Sequence, residues 1–194
     1  GGPKGRDTTH FSVLDAQGNR VAATLSVNYP FGAVFVPDGT GVLLNNEMDD
    51  FSARPLTPNA YGLVGVDANA IAPGKRPLSS MTPTFLETAD RVGILGTPGG
   101  SRIISMVMIG ILQFADGAKP DSWVAAKRYH HQYLPDEVQF ERGGLSSDEQ
   151  RDLKRRGHKL KEISRNYGNM HAILWNLAAN EVYAASDPRG EGAA

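Results

Sequence analysis

The chain has 194 residues, of which 40% are hydrophobic and 21% charged, and its formal net charge is −1. This composition gives no electrostatic case for binding nucleic acid or an anionic membrane, and no apolar run approaches the roughly 18 residues of a spanning helix. The absence of cysteine excludes disulfides, thiolate nucleophiles and Cys-ligated metal sites. Residues 1–7 are polar and glycine-rich, so we expect a flexible leader rather than a signal peptide.

Alternating apolar residues near the start predict a β-hairpin. The alternation runs through His10–Asp15, is interrupted by the turn residues Ala16–Asn19, and resumes over Val21–Val27. Two short apolar runs follow, Ala33–Val36 and Val42–Leu44, with a proline–glycine turn signal between them.

The middle of the chain begins with a long stretch that has no clear period. Residues 54–78 are rich in Pro, Gly, Asn and Ala, and a loop of that length is usually functional or mobile. Beyond it, Thr84–Thr88 and Val92–Leu95 predict a second hairpin, and the apolar stretch from Ile103 to Phe114 predicts a buried helix.

The last third predicts two surface helices and one more hairpin. Pro120–Arg128 and Ser146–His158 are amphipathic, the second with a Ser-x-x-Glu capping box, and the charge run Arg151–Lys161 is interpreted as a solvated helix face. His171–Trp175 and Val182–Ala185 predict the hairpin. Strand-rich ends around a helical centre indicate an α+β fold with sheets covered by helices.

The segment Asp7-Thr8-Thr9 is the first candidate for chemistry. A threonine hydroxyl needs an adjacent base to act as a nucleophile, and the α-amine of a newly exposed N-terminal threonine, with an ordinary pKa of about 7.7–8.0, is such a base. The segment therefore fits either the start of a strand or a self-cleavage site between Asp7 and Thr8. Spacing alone does not exclude Thr9 as the nucleophile.

Two polar clusters follow. Ser26-Val27-Asn28 closes the second predicted strand and would return close to Thr8, where its hydroxyl and amide either orient a nucleophile or face a turn. Asn45–Phe51 crowds carboxylates and amides together, which is costly unless a cation is bound. An ammonium ligand or a metal ion would suit this second cluster, although its spacing does not match an EF-hand loop; a solvated acidic turn is the alternative.

A glycine-rich turn combines with a serine pair in the last cluster. Gly96–Ser101 opens onto the predicted apolar helix, where closely approaching backbone N–H groups and the helix N-terminus favour a developing negative charge. This suits the oxyanion of acyl transfer, and a plain strand-to-helix turn is the alternative. The turn lacks the lysine of a phosphate-binding P-loop. Ser79-Ser80 belongs to the same candidate group.

Four ordered motifs together resemble one family. They are similar to the small, C-terminal subunit of γ-glutamyltransferase (glutathione hydrolase), and the similarity extends from Thr8 to Arg189. The motifs are Thr8–Val13, Asn45–Phe51, Gly74–Met81 and Gly96–Arg102.

The resemblance implies an N-terminal-nucleophile hydrolase with an αββα sandwich, in which residues 8–194 supply about half of a single domain. It implies a precursor that cuts itself at Asp7–Thr8, then hydrolyses or transfers the γ-glutamyl group of glutathione and related compounds through an ester on Thr8, without a metal or cofactor. The implied site residues are Thr8 as nucleophile, Ser26 as its hydrogen-bond partner, Gly99 and Gly100 as oxyanion hole, Asn28, Glu47 and Asp50 for the substrate α-amine, Ser79 and Ser80 for its α-carboxylate, and Tyr61 in a lid.

The chain departs from the family pattern at two of these positions. The family commonly has Thr in place of Ser26, and some members have Gln in place of Glu47. Pro55–Val66, with Tyr61, resembles a lid loop that only some members possess, and its presence implies a gated pocket.

Two alternatives stay open. A glutaryl-cephalosporin acylase of the same fold takes a donor without an α-amine, which would leave Asn28, Glu47 and Asp50 unpaired. A non-catalytic, unprocessed fragment or binding module is the other alternative, because Thr8 has no free amine while residues 1–7 precede it. The adjacent His130 and His131 are interpreted as structural rather than metal-binding.

The resemblance also implies partners and a location. It implies a heterodimer with the large N-terminal subunit of the same precursor, which would supply a cationic group for the substrate α-carboxylate. Small-molecule γ-glutamyl compounds are the expected substrates, and nucleic acid is not an expected partner. The implied location is periplasmic or extracellular.

Overall fold

The computed structural model describes residues 8–54, 56–59, 61–190 and 192–194. The expected leader 1–7, and with it Asp7 of the predicted cleavage site, lies outside these residues. The chain divides into two compact units. The first unit holds Thr8 and Thr9 together with Leu25–Ser80, and the second unit holds His10–Thr24 together with Met81–Ala194.

The described residues form strands and helices in the mixture that the sequence predicts, which confirms the α+β class. The elements in chain order are β1 Thr8–Leu14, β2 Arg20–Ser26, β3 Thr84–Glu87, β4 Arg91–Gly96, α1 Ile103–Ala115, α2 Pro120–Ala125, β5 Tyr129–Gln132, β6 Glu137–Glu141, α3 Ser147–Arg155, β7 Leu160–Ile163, β8 His171–Asn176 and β9 Glu181–Ser186.

The first predicted hairpin is confirmed: β1 and β2 form a two-stranded sheet. The Asp15 carboxylate holds the turn by accepting hydrogen bonds from the N–H groups of Gln17 and Asn19, at 2.9 and 2.8 Å. Gly18 supplies the left-handed conformation that the turn needs, with φ of 85°. The hairpin therefore returns the end of β2 to the start of β1.

An antiparallel sheet in the order β3-β4-β8-β9 carries the second and third predicted hairpins. Its strand β4 is a continuous buried run, and α1 and α2 pack against the sheet to enclose the core of the second unit. No helix in the described ranges is long and apolar enough to cross a membrane. The core side chains include Leu95, Ile103, Met106, Val107, Phe114, Trp123, Val124, Met170 and Leu174.

A third sheet was not predicted from the sequence, and in it β6 pairs antiparallel with β5 and parallel with β7. β5 and β7 are short and rich in charged or polar residues, and β6 alternates over only five residues, so the pattern that identifies strands is weak here. His130 is buried in β5 and hydrogen-bonds Ser105, whereas its neighbour His131 is exposed and contacts Asp136. Adjacent strand residues face opposite sides, which explains the difference.

The amphipathic surface helix predicted over Pro120–Arg128 is confirmed but ends early, at Ala125. One face of α2 is buried, with Trp123 only 1% exposed, whereas Asp121 and Ser122 are exposed on the other face. Arg128 lies beyond the helix and is buried as well, because its guanidinium pairs with the Asp187 carboxylate.

The last helix begins as predicted but ends early. Ser146 and Glu149 form the expected capping box, and α3 ends at Arg155 rather than at His158. The interpretation of Arg151–Lys161 as one helix face is therefore wrong, because its end lies in the strand β7.

The first unit contains little regular structure beyond the end of the β1–β2 hairpin. The two apolar runs at 33–36 and 42–44 are not strands, although Ala33 N–H and Leu44 N–H donate to the carbonyls of Leu44 and Phe35 at 2.8 and 3.0 Å. Two short 3-10 turns, Glu47–Asp50 and Asp67–Asn69, interrupt the loops. These turns place the polar residues considered next.

Candidate functional site

Two hydroxyl groups meet where β1 begins and β2 ends. Oγ1 of Thr8 lies 2.8 Å from Oγ of Ser26, and both residues are half-buried. The next residue, Thr9, is exposed, as the alternation of a strand requires. Of the two threonines, only Thr8 has its hydroxyl in this hydrogen bond with Ser26.

The Ser26 hydroxyl is itself held in place by a backbone group. Its oxygen accepts a hydrogen bond from the Asn28 backbone N–H at 2.8 Å. Asn28 is 8% exposed and has φ of 73°, a left-handed conformation that asparagine tolerates better than most residues. Its side-chain Nδ2 donates to the Asn46 carbonyl at 3.1 Å.

A tyrosine from the expected lid reaches the same asparagine. The Tyr61 hydroxyl lies 3.1 Å from Oδ1 of Asn28 and 3.3 Å from its carbonyl oxygen. Its ring also packs against Tyr29, with 5.5 Å between the ring centroids. Because both Asn28 acceptors face this phenol, the tyrosine covers the amide in this structure.

The crowded acidic segment forms the 3-10 turn Glu47–Asp50. Burial, and secondarily Asp50, raises the pKa of Glu47 above its ordinary value. Burial, and secondarily Asp49, raises the pKa of Asp50. Both carboxylates are therefore less stable in their charged form than they would be in water, and a cationic ligand would relieve this cost.

The glycine-rich turn between β4 and α1 belongs to the second unit. Gly99 and Gly100 have φ of 152° and 61°, conformations that side chains rarely adopt. The fully buried Thr97 donates its hydroxyl to the Pro98 carbonyl at 2.9 Å and accepts from the Asn169 N–H at 3.0 Å. Among the described residues, the amides of Gly99 and Gly100 donate to no protein acceptor.

The remaining predicted residues lie at the end of the first unit. Ser79 is exposed and Ser80 is half-buried, and both follow Leu78, whose N–H is hydrogen-bonded to Asn69 at 2.9 Å. Asp7 of the predicted cleavage site is outside the described residues. No group of three or more His, Asp or Glu side chains suited to a metal ion occurs in the described ranges.

Sequence reasoning did not assign a role to two of these supporting residues. Asn46 accepts from the N–H of Tyr29 through Oδ1 at 3.0 Å, in addition to its contact with Asn28, and Thr97 fixes the glycine turn. Both residues stood inside recognised motifs, Asn45–Phe51 and Gly96–Arg102, but only the structure shows which backbone groups their side chains bind.

Each unit by itself carries groups of a kind that acyl transfer uses. The first unit has a hydroxyl with a fixed partner and acidic acceptors for a cation. The second unit has backbone N–H groups of the kind that stabilise an oxyanion.

Comparison with known proteins agrees with this chemistry. The family model described as Gamma-glutamyltranspeptidase matches residues 2–194. The glutathione hydrolase proenzyme of Escherichia coli is 46% identical over 184 residues, which cover 94% of this chain and 31% of that protein. A crystal structure of a Helicobacter pylori gamma-glutamyltranspeptidase mutant matches with a TM-score of 0.87 at 43% identity, covering 94% of this chain and all of the chain compared.

A more distant structure shares only the fold. The cephalosporin acylase of Bacillus halodurans has a TM-score of 0.70 at 22% identity, covering 93% of this chain and 32% of that chain. The chain spans about a third of the length of the Escherichia coli relative. The neighbours confirm the N-terminal-nucleophile hydrolase fold that the sequence motifs imply.

Proposed function

The chain belongs to the gamma-glutamyltranspeptidase family, and from this membership we propose that it hydrolyses and transfers γ-glutamyl groups of glutathione and related compounds. The observation that carries the proposal is the 2.8 Å contact between the hydroxyls of Thr8 and Ser26. It supports Thr8, rather than Thr9, as the nucleophile.

Maturation is the first use of this hydroxyl. Oγ1 of Thr8 attacks the carbonyl carbon of Asp7, the C–N bond breaks, and the α-amine of Thr8 takes up the proton while Asp7 becomes an ester. Water then hydrolyses the ester, so that Asp7 leaves as a carboxylate and Thr8 becomes an N-terminus. The new α-amine can now serve as a general base.

Turnover repeats the attack on a γ-glutamyl carbonyl. The α-amine accepts the proton of Oγ1 as the oxygen bonds to the carbonyl carbon, and the N–H groups of Gly99 and Gly100 stabilise the resulting oxyanion. The proton passes to the departing amine, which leaves a γ-glutamyl ester on Thr8. Attack by water gives hydrolysis, and attack by an amino acid or peptide amine gives transfer.

Recognition of the donor depends on its free α-amino acid group. We assign the α-amine to Asn28, Glu47 and Asp50, and the α-carboxylate to Ser79 and Ser80. The raised pKa values of the two acidic residues support this assignment, because an ammonium ion would stabilise both carboxylates. Tyr61 is assigned to a lid, supported by its contact with Asn28.

The acylase alternative fits these acceptors less well. A glutaryl donor has no α-amine and would leave the desolvated carboxylates of Glu47 and Asp50 without a cation. A γ-glutamyl anilide and a glutaryl anilide differ only in this amine. We expect kcat/KM to favour the γ-glutamyl compound, and a preference for the glutaryl compound would contradict the proposal.

A partner of the expected kind would explain an exposed apolar segment. Phe31 is 71% and Val34 is 79% exposed, and neighbouring apolar residues are exposed as well. Such surfaces mark interaction sites. We propose that the segment binds the large N-terminal subunit of the same proenzyme, in a periplasmic or extracellular location. The other exposed apolar residues of the segment are Phe35, Val36, Val42, Leu43 and Leu44.

The nucleophile is tested with two matched variants of the full proenzyme. Thr8→Ala should abolish both self-cleavage and release of a chromogenic amine from a γ-glutamyl anilide, because no neighbouring group replaces the hydroxyl. Thr9→Ala removes an exposed hydroxyl in the adjacent position and should retain both activities. N-terminal sequencing of the processed wild-type subunit should begin at Thr8.

The opposite result would reassign the chemistry. Normal processing by Thr8→Ala together with an inactive Thr9→Ala would identify Thr9 as the nucleophile. A wild-type proenzyme that stays uncleaved and inactive after prolonged incubation would favour the non-catalytic alternative.

A further inference from the structure

Asn69 connects two segments that the proposed function uses for opposite ends of one ligand. Its side-chain Nδ2 donates to the carbonyl of Asp50 at 2.8 Å, and its Oδ1 accepts from the N–H of Leu78 at 2.9 Å. Asp50 belongs to the acidic turn, and Leu78 directly precedes the pair Ser79-Ser80. The side-chain amide of Asn69 thus bonds one residue 19 positions earlier in the chain and another nine positions later.

The backbone around Asn69 is fixed independently of its side chain. Its carbonyl accepts from the N–H of Ser52 at 2.9 Å, and its own N–H donates to Val66 at 2.9 Å within the 3-10 turn Asp67–Asn69. A parallel bridge between Ser52 and Ala70 extends this contact. The side chain therefore projects from a backbone that is already held on the side of the acidic turn.

A lysine holds the segment that leads from Asn69 to Leu78. Nζ of Lys75 donates to the carbonyls of Ala68 and Ala70, at 3.1 and 3.2 Å. These carbonyls flank Asn69, so the lysine holds the chain before Leu78 against the same turn. The hydrogen bond from the Leu78 N–H to the Asn69 side chain then holds the residue directly before the serine pair.

We propose that Asn69 is a positioning residue that sets the spacing between the acceptors for the donor α-amine and those for its α-carboxylate. The amide does this by joining the turn that carries Asp50 to the segment that carries Ser79 and Ser80. This inference rests on the proposed function, since it assigns Asn69 a role toward the same γ-glutamyl donor without any contact to the reacting carbonyl.

The role predicts a particular kinetic pattern. The α-amino acid group is held alike in the ground state and the transition state, so a change in its binding alters KM and leaves kcat nearly constant. Free L-glutamate carries the same group, and its inhibition constant should change in parallel with KM. A residue that only maintained the fold would instead lower kcat and stability together.

The experiment uses the processed enzyme made from the full proenzyme. Asn69→Asp keeps the shape and the acceptor but places an oxygen against the Asp50 carbonyl, and Asn69→Ala removes both bonds. We expect both variants to raise KM for a γ-glutamyl anilide and the inhibition constant of L-glutamate by about tenfold or more, with kcat within about threefold of wild type.

A second asparagine provides the control. Oδ1 of Asn176 accepts from the N–H of Ala179 at 3.1 Å, so Asn176→Asp keeps its acceptor. This variant should leave KM and the inhibition constant unchanged.

Three results would overturn the inference. The first is an unchanged KM and inhibition constant in both Asn69 variants of an active enzyme. The second is a loss confined to kcat, and the third is a failure of both variants to fold, which would make Asn69 a general structural residue. A wild-type enzyme without γ-glutamyl activity would be distinguishable, because it would overturn the proposed function as well.

Discussion

The hydroxyl oxygen of Ser26 lies 2.8 Å from Oγ1 of Thr8 and 2.8 Å from the backbone nitrogen of Asn28. The backbone N–H can only donate, so it occupies one lone pair of the serine oxygen. The orientation of the proposed nucleophile therefore depends on a serine whose own position is set by the backbone.

Removing this hydroxyl should slow the chemistry more than it weakens binding. Ser26→Ala leaves Thr8 Oγ1 without its partner, and small misplacement of a reacting atom can cost about 100-fold in rate. We expect kcat for a γ-glutamyl anilide to fall by about that factor while KM changes little. Ser26→Thr keeps the hydroxyl and adds the stiffness of a β-branch, so it should retain activity; an inactive Ser26→Thr would contradict the proposed orientation.

Replacing Glu47 by glutamine should stabilise the fold at neutral pH and weaken substrate binding. Burial raises the pKa of Glu47, so its ionisation opposes folding: the protonated form contributes stability at low pH, and this is lost as pH rises through the raised value. Glu47→Gln should therefore raise Tm at pH 7 to 8 and have no effect on Tm below the ordinary pKa of 4.5. KM for the γ-glutamyl donor should rise about three- to tenfold, because an amide binds an ammonium ion less strongly.

Thermal melts across pH 4 to 8 and initial rates would test both effects. A variant that is less stable at pH 8 would show that the carboxylate has an ionic partner, contrary to its raised pKa.

His10 should make the fold sensitive to mild acid. Burial, and secondarily His171, lowers the pKa of His10 from 6.5 to about 4. The depressed value means that stability is fully present above pH 6.5 and is lost as pH falls toward 4, since the buried ring must become charged. His10→Gln should have a flatter dependence of Tm on pH over this range than wild type.

The same imidazole limits what can occupy position 96. A Cβ at Gly96 would clash with the ring of His10, so Gly96→Ala should cost about 1–3 kcal/mol of stability as an overpacked core does. In a double-mutant cycle, His10→Ala should remove most of that cost because it deletes the ring. Additive effects in urea denaturation would contradict the contact.

Thr97 should affect the rate through the orientation of one peptide plane. Its hydroxyl holds the Pro98 carbonyl, and because the peptide is trans, the Gly99 N–H must point the opposite way. Thr97→Val should lower kcat by about tenfold or more with little change in KM, since an oxyanion exists only after attack. Thr97→Ser restores the hydroxyl and should restore kcat; failure of this rescue would indicate a packing role instead.

The sequence predicted those parts of the fold that depend on local patterns. The hairpin β1–β2 follows from alternation and from turn residues such as Gly18, and α1 follows from a long apolar run. The sheet β5–β6–β7 was not predicted, because β5 and β7 carry few apolar residues and the parallel pairing of β6 with β7 joins strands separated by the helix α3. Arg128 shows the same limit, since a buried arginine is identifiable only together with Asp187.

The residues of the candidate site also differ in how far the sequence predicts them. Thr8, Glu47 and Gly99 stood in recognisable motifs, and their assigned roles stay predictions until the variants are measured. Asn69 stood in no motif, and Thr97 stood in one without being assigned a role. Their importance arises from hydrogen bonds to backbone groups of other segments, which a residue type alone does not reveal.

Under the proposed function, the left-handed conformation of Asn28 restricts how the chain could be adapted to new donors. At φ of 73°, glycine and asparagine are the residues best tolerated, and of these two only asparagine carries the amide that joins Asn46 and Tyr61. In a library randomised over the donor pocket, position 28 should return almost exclusively to asparagine, whereas position 47 has no such backbone requirement. Variants with altered donor preference should therefore carry substitutions at Glu47 and keep asparagine at position 28.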